Sequence, residues 1–164
     1  MRGRIRAASA VVCTALLGGC HSAQPVQSQE LLNHHACVSV SAGVAEVALS
    51  DLSRIRGSRL LQLGNGTADQ DLPELSTATR LFVVSRGEMP TPGYRFEVAA
   101  VTREAEELVI DLTWTTPPAD SVLPQVLTHP CVVLALPVNG ATTVVARSED
   151  AELGRLALTA QGAG

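Results

Sequence analysis

The sequence predicts an all-β domain, a sandwich or partly closed barrel of about seven short strands with room for one short helix. Two observations carry that prediction. Short apolar runs recur along the chain, each bounded by Gly, Pro, Asn or Asp residues that favour turns. Several of these runs alternate apolar with polar positions, the period of a strand that buries one face. The chain has 164 residues and only four aromatics (Phe82, Tyr94, Phe96 and Trp114), so its core rests on Val, Leu and Ala.

The N-terminus sets the environment. Arg2, Arg4 and Arg6 precede an uncharged, largely apolar stretch over 7–19, the length of a signal-peptide core and too short to cross a bilayer as a helix. It closes on Leu17-Gly18-Gly19-Cys20. That run resembles the lipobox of bacterial lipoproteins, in which small residues flank the cleaved bond and the Cys thiol takes the lipid. The resemblance implies a signal peptide over 1–19 and a membrane anchor through lipid on Cys20. It implies an outer-membrane, periplasm-facing address, since His21 rather than Asp follows the Cys. Two or more acyl chains hold a protein at a bilayer stably. Removing residues 1–19 takes Arg2, Arg4 and Arg6 and leaves nine arginines against 16 acidic residues, a formal charge of −7. Nucleic-acid binding wants the opposite sign.

Residues 20–36 are polar and without a sustained period, which predicts a flexible tether. His34 and His35 fall within it; with no carboxylate or Cys at ligand spacing they read as solvated linker residues. The β domain is predicted over 37–160. A strand bent at Ala42-Gly43 is expected over 37–49, then a short helix from Ser50 with Leu52, Ile55 and Leu60 along one stripe. Residues 64–79 read as a loop. Leu81 to Val84 form a continuous apolar run, the mark of a strand buried on both faces.

Within GEMPTPGY (87–94), Pro92 presets the second position of a turn and Gly93 supplies the positive φ that a type II turn needs next. A stiff loop is expected. Tyr94, Phe96, Val98 and Ala100 then share one strand face, and Leu108, Ile110, Leu112 and Trp114 share the facing one, a hairpin across a charged turn. After a loop over 116–124, an apolar strand follows within 126–138, Asn139-Gly140 is a turn, residues after it form another strand, and 155–160 an edge strand. Cys37 and Cys131 are an isolated pair in an exported chain, which reads as a disulfide; two buried free thiols are the alternative.

Residues 79–138 resemble the C-terminal domain of the PrcB-like protease-complex family. Gly87, Pro90, Thr91, Gly93 and Tyr94 match that family's loop, and Thr128 and Pro130 match a later element. Pro92 stands where the family often has Gly, and Cys131 where an aromatic is usual. The resemblance implies a protein-binding module accessory to an exported protease, with Glu88, Met89, Pro90, Thr91, Pro92, Gly93 and Tyr94 as the partner-contact loop. The same loop resembles more weakly one of the three loops of chagasin-type cysteine-protease inhibitors.

Catalysis is not expected. His129, Ser121, Asp120 and Asp111 invite a Ser-His-Asp reading, but no nucleophile elbow accompanies them. Glu104, Glu106 and Glu107 read as a charged hairpin tip. Neither a phosphate loop, a metal quartet nor a dinucleotide fingerprint is present, so no cofactor, metal or small-molecule substrate is assigned. The expected partners are the membrane and an exported protease or other envelope protein. A structural or stress-related envelope lipoprotein is the alternative.

Overall fold

The computed structural model describes residues 23–37, 40–55, 76–149 and 151–159; the signal segment and Cys20 lie outside the described residues. Among the described residues nine strands form two sheets packed face to face. In chain order they are β1 (Gln24–Pro25), β2 (Gln29–His34), β3 (Gly43–Val47), β4 (Thr79–Ser85), β5 (Arg95–Glu104), β6 (Glu107–Thr115), β7 (Cys131–Pro137), β8 (Thr143–Ser148) and β9 (Ala151–Ala157). One sheet runs β1-β5-β6-β8-β9 and the other β2-β7-β4-β3. The architecture is the expected all-β sandwich, not a closed barrel. A 3₁₀ turn (Leu49–Asp51) leads into one turn of α-helix, α1 (Leu52–Ile55). Among the described residues no helix is long and apolar enough to cross a membrane.

The strands obey the sequence pattern where packing is thickest. Phe82 and Val84 of β4, Val132, Leu134 and Leu136 of β7, and Leu108, Ile110 and Leu112 of β6 point between the sheets and are buried there. The opposite face of β4 and β7 is buried too. Val83, Val133 and Cys131 pack with Cys37 and Ile55, under a cap that includes Leu52 and Val40. The continuous apolar run thus marks a strand covered on both sides. Cys37 and Cys131 are bonded, with Cα atoms 6.0 Å apart and a sequence separation of 94.

Four expectations need correction. The described part of the predicted tether is not a tether: β1 pairs with Thr102 and Arg103 of β5, and β2 pairs with β7. Both are edge strands with mostly exposed side chains, so no apolar alternation betrays them; only Leu31 and Leu32 reach the core, around a bulge. The strand expected over 37–49 is confined, among its described residues, to Gly43–Val47, because Gly43 takes φ +115° and re-aims the chain. The face predicted from Tyr94 to Ala100 breaks at a bulge between Val98 and Ala100. One extra residue moves the buried position to Val101 and leaves Ala100 exposed. Finally, β9 begins at Ala151, four residues ahead of the expected edge strand.

Two junctions show how the sheets meet. Asn139 and Gly140 both have positive φ, as a type I′ turn requires, and carry the chain from β7 in one sheet to β8 in the other. At one corner β3 lies close to β9. A Cβ on Gly154 would stand 2.8 Å from the Val44 nitrogen and 2.9 Å from the Gly43 Cα, so only glycine permits that approach. Arg80, 8% exposed, forks onto both carboxylate oxygens of Glu46 and donates to the Thr159 carbonyl. The Glu46 hydrogen bond raises the guanidinium pKa against the lowering effect of burial.

Candidate partner-contact site at the loop end of the sandwich

The loop over 86–94 joins β4 to β5 at one end of the molecule, and it is held from several sides. Ser85, fully buried, donates to the Pro130 carbonyl at 3.2 Å and accepts the Gly87 N–H at 3.0 Å, so it ties the loop's first turn to the base of β7. Met89 and Thr128 form a two-bond antiparallel bridge, N···O 2.7 and 2.9 Å. The Thr128 hydroxyl also donates to the Thr91 carbonyl at 3.0 Å. Gly93, at φ +101°, has the positive φ expected there. A Cβ on it would stand 2.9 Å from the Pro117 Cβ, so the turn is pressed against the β6–β7 connection.

Beneath the loop lies an aromatic plug. Tyr94 stacks on Trp114 with ring centroids 5.6 Å apart, and Phe96 meets the same indole at 4.8 Å. Arg86 sits 4.8 Å from that ring's centroid, a cation–π contact that the sequence reading missed. The loop's ends are therefore anchored on an indole, while Glu88 and Pro90 remain exposed.

The histidines are placed differently from the expectation. His34 closes β2 and its Nδ1 accepts the Ala36 N–H at 2.9 Å; the two rings of His34 and His35 stack at 4.4 Å. Together with Asn33 they wall one side of a shallow groove whose other side is Pro92, Gly93, Tyr94 and Arg95. Asn33 reaches across to the Phe96 carbonyl at 2.9 Å. His129 is the loop residue its place before a proline suggests: it lies 3.6 Å from Glu88, and its backbone bonds His35 and Cys37. The disulfide thus pins the segment that carries His35 beside the loop. Among the described residues no group of three or more His, Cys, Asp or Glu side chains is arranged to hold a metal ion.

The imagined triad does not assemble. Asp111 binds Arg147 on the outer face of β6, whereas His129 stands at the loop end beside Glu88. Asp120 and Ser121 are exposed in the connection between β6 and β7. That connection holds what the sequence reading passed over. Val122, Val126 and Leu127 are 101%, 54% and 59% exposed. Leu127 precedes Thr128, the partner of Met89, so it adjoins the loop.

The segment containing this site can be compared with known families. Residues 81–137 match the family model described as PrcB C-terminal. The PrcB C-terminal match runs from within β4 to the end of β7 and takes in the loop, the β5–β6 hairpin and the connection back. It spans well under half of the chain and agrees with the resemblance drawn from Gly87, Pro90, Thr91, Gly93 and Tyr94. No curated protein and no solved structure matches the chain.

Proposed function

We propose that this chain is a lipid-anchored, non-catalytic envelope protein whose β domain is a protein-binding module accessory to an exported protease, with loop 88–94 as its contact. The observation that carries the reading is the fixing of that loop. The Met89–Thr128 bridge, the Thr128 hydroxyl bond to Thr91 and the Gly93–Pro117 contact leave it little freedom to lose. A loop already ordered in the free protein avoids the association cost of about 0.5–1.5 kcal/mol per immobilised side chain. The PrcB C-terminal match over the same residues supports a protease-complex partner, and the lipobox-like Leu17-Gly18-Gly19-Cys20 supports the anchor.

The test is co-purification of the protease from the cell envelope with wild-type protein and with a Pro92→Gly, Tyr94→Ala double variant. Recovery is expected to fall at least tenfold in the variant. Equal recovery of the same protease by both proteins removes the loop from the reading, and mass spectrometry that finds an unmodified Cys20 thiol removes the anchor.

A further inference from the structure

The groove between Asn33–His35 and Pro92–Arg95 has two walls, each fixed from behind. The Asn33 amide ties them together by donating to the Phe96 carbonyl at 2.9 Å. Behind the histidine wall, the Cys37 N–H donates to the His129 carbonyl at 2.9 Å, and the disulfide fastens Cys37 to Cys131. Behind the opposite wall, Gly93 is pressed against Pro117 and Tyr94 is stacked on Trp114. The groove offers about 290 Å³. Clefts that hold whole small molecules begin at roughly 300 Å³, so this one suits a single group of a larger partner.

The lining is rich in donors. Arg95 brings a guanidinium, His34 and His35 bring imidazoles, and Tyr94 brings a phenol, while no Asp or Glu is among the lining residues. The chain as a whole leans the other way, with 16 acidic residues against 12 basic. Arg95 is ion-paired with Glu97 at 4.0 Å, the two side chains 66% and 64% exposed. A pair so long and so wet contributes little and yields to a better acceptor. A guanidinium presents a planar fork of donors that fits the two oxygens of a carboxylate or a phosphate. Arg95 is the one permanent cation of the lining, which matches a singly charged carboxylate better than a doubly charged phosphate. We infer that this groove binds a carboxylate presented by the exported partner, with Arg95 as its principal ligand. The inference rests on loop 88–94 being the contact, since Pro92, Gly93 and Tyr94 belong to both loop and groove, and it names the chemical group that the contact recognises.

Two measurements test it. In the first, the full mature chain, purified from the cell envelope in detergent, is titrated with three acetylated tetra-alanine peptides and followed by NMR at the His35 imidazole. One peptide has a free C-terminus, one is its amide, and one is the amide with an internal alanine replaced by glutamate. An acid peptide is expected to bind at least about tenfold more tightly than the plain amide, the equivalent of one charge-assisted hydrogen bond. The tighter of the two acids tells whether a chain terminus or a side chain is the source. Arg95→Gln is expected to abolish the preference, and Glu97→Gln, which removes the competing acceptor, to increase it. Equal binding of acids and amide, a preference that survives Arg95→Gln or falls in Glu97→Gln, or tighter binding of inorganic phosphate overturns the inference. In the second, the protease is co-purified with Arg95→Gln protein whose melting temperature is unchanged, and recovery is expected to fall in step with peptide binding. Undiminished recovery overturns the inference and leaves loop 88–94 standing, whereas equal recovery by the Pro92→Gly, Tyr94→Ala variant overturns the loop reading itself.

Discussion

The central strands of the four-stranded sheet, β4 and β7, are covered on both faces, while the outer face of the five-stranded sheet mixes ion-paired, partly exposed side chains with the buried Val109 and Val145. On β4, Phe82 and Val84 meet the other sheet and Val83 meets the cap formed by Cys37, Ile55 and Leu52. On β6 the inner positions Leu108, Ile110 and Leu112 are buried, but the outer ones include Glu107 and Asp111, bound to Arg155 and Arg147. The middle layer thus holds its place by exclusion of water from two sides, and the outer layer by one apolar face and a surface of ion pairs. Burial on two sides makes each large side chain there worth more. It also makes β4 and β7 the natural platform from which loop 86–94 and Thr128 are hung.

The contrast is broken most strongly by Phe82→Ala. Phe82 is fully buried between the sheets, and truncating it removes transfer free energy and leaves a cavity, together about 3–5 kcal/mol. Thr113→Ala, at an exposed position of β6, is expected to stay within about 0.5 kcal/mol. Urea unfolding of the two variants checks this. A Phe82→Ala loss no larger than that of Thr113→Ala would mean that the middle layer is not the stabilising one.

The cap side of the same sheet is sharpened by Cys37→Ser combined with Cys131→Ser. Closing so long a loop restricts the unfolded chain by about 4–5 kcal/mol in the entropy model, and measured losses centre on about 2–4 kcal/mol. The double variant should melt at least several degrees lower. Reductant strong enough to open the bond should lower wild type and leave the variant untouched. Equal reductant sensitivity in both would show that the bridge contributes nothing.

The same two-sided burial explains what was legible in the sequence. Leu81–Val84 and Cys131–Leu136 are continuous apolar runs because neither face of those strands meets water, and Ile110 to Trp114 alternate because the outer face there does. The Asn139-Gly140 turn and the positive φ of Gly93 were legible from residue chemistry alone. Strands β1 and β2 were not, since they lie at sheet edges with polar, mostly exposed side chains and are held by backbone bonds that any residue can make. Nor was the bulge after Val98, which is a feature of pairing rather than composition. At the site, Pro90, Thr91, Gly93 and Tyr94 drew attention through turn chemistry. His34, His35 and Thr128 join them only through the fold, as Trp114 joins Arg86, across separations that no local pattern carries.

The smallest expected effect lies on the outer face of the five-stranded sheet. Val109 and Val145 are paired neighbours there, 2% and 5% exposed, although among the described residues no second sheet covers them. The register places Asp111 and Arg147 beside them, and Arg147 also lies 3.4 Å from Glu104. Its pKa is raised chiefly by the hydrogen bond to Asp111, so the charge persists throughout the ordinary pH range. Yet the side chain is 37% exposed, and pairs so placed contribute at most about 1 kcal/mol, less in salt. Its aliphatic stem shares the outer face with Val145, two residues away on β8, and is expected to shield the valines. Arg147→Met keeps that shield and removes the charge; Arg147→Ala removes both. In 1 M salt, Met at 147 is therefore expected to match wild type, while Ala remains destabilised by a few tenths of a kcal/mol to about 1 kcal/mol. Equal losses for both variants that vanish together in salt would show that this face is held by charge alone.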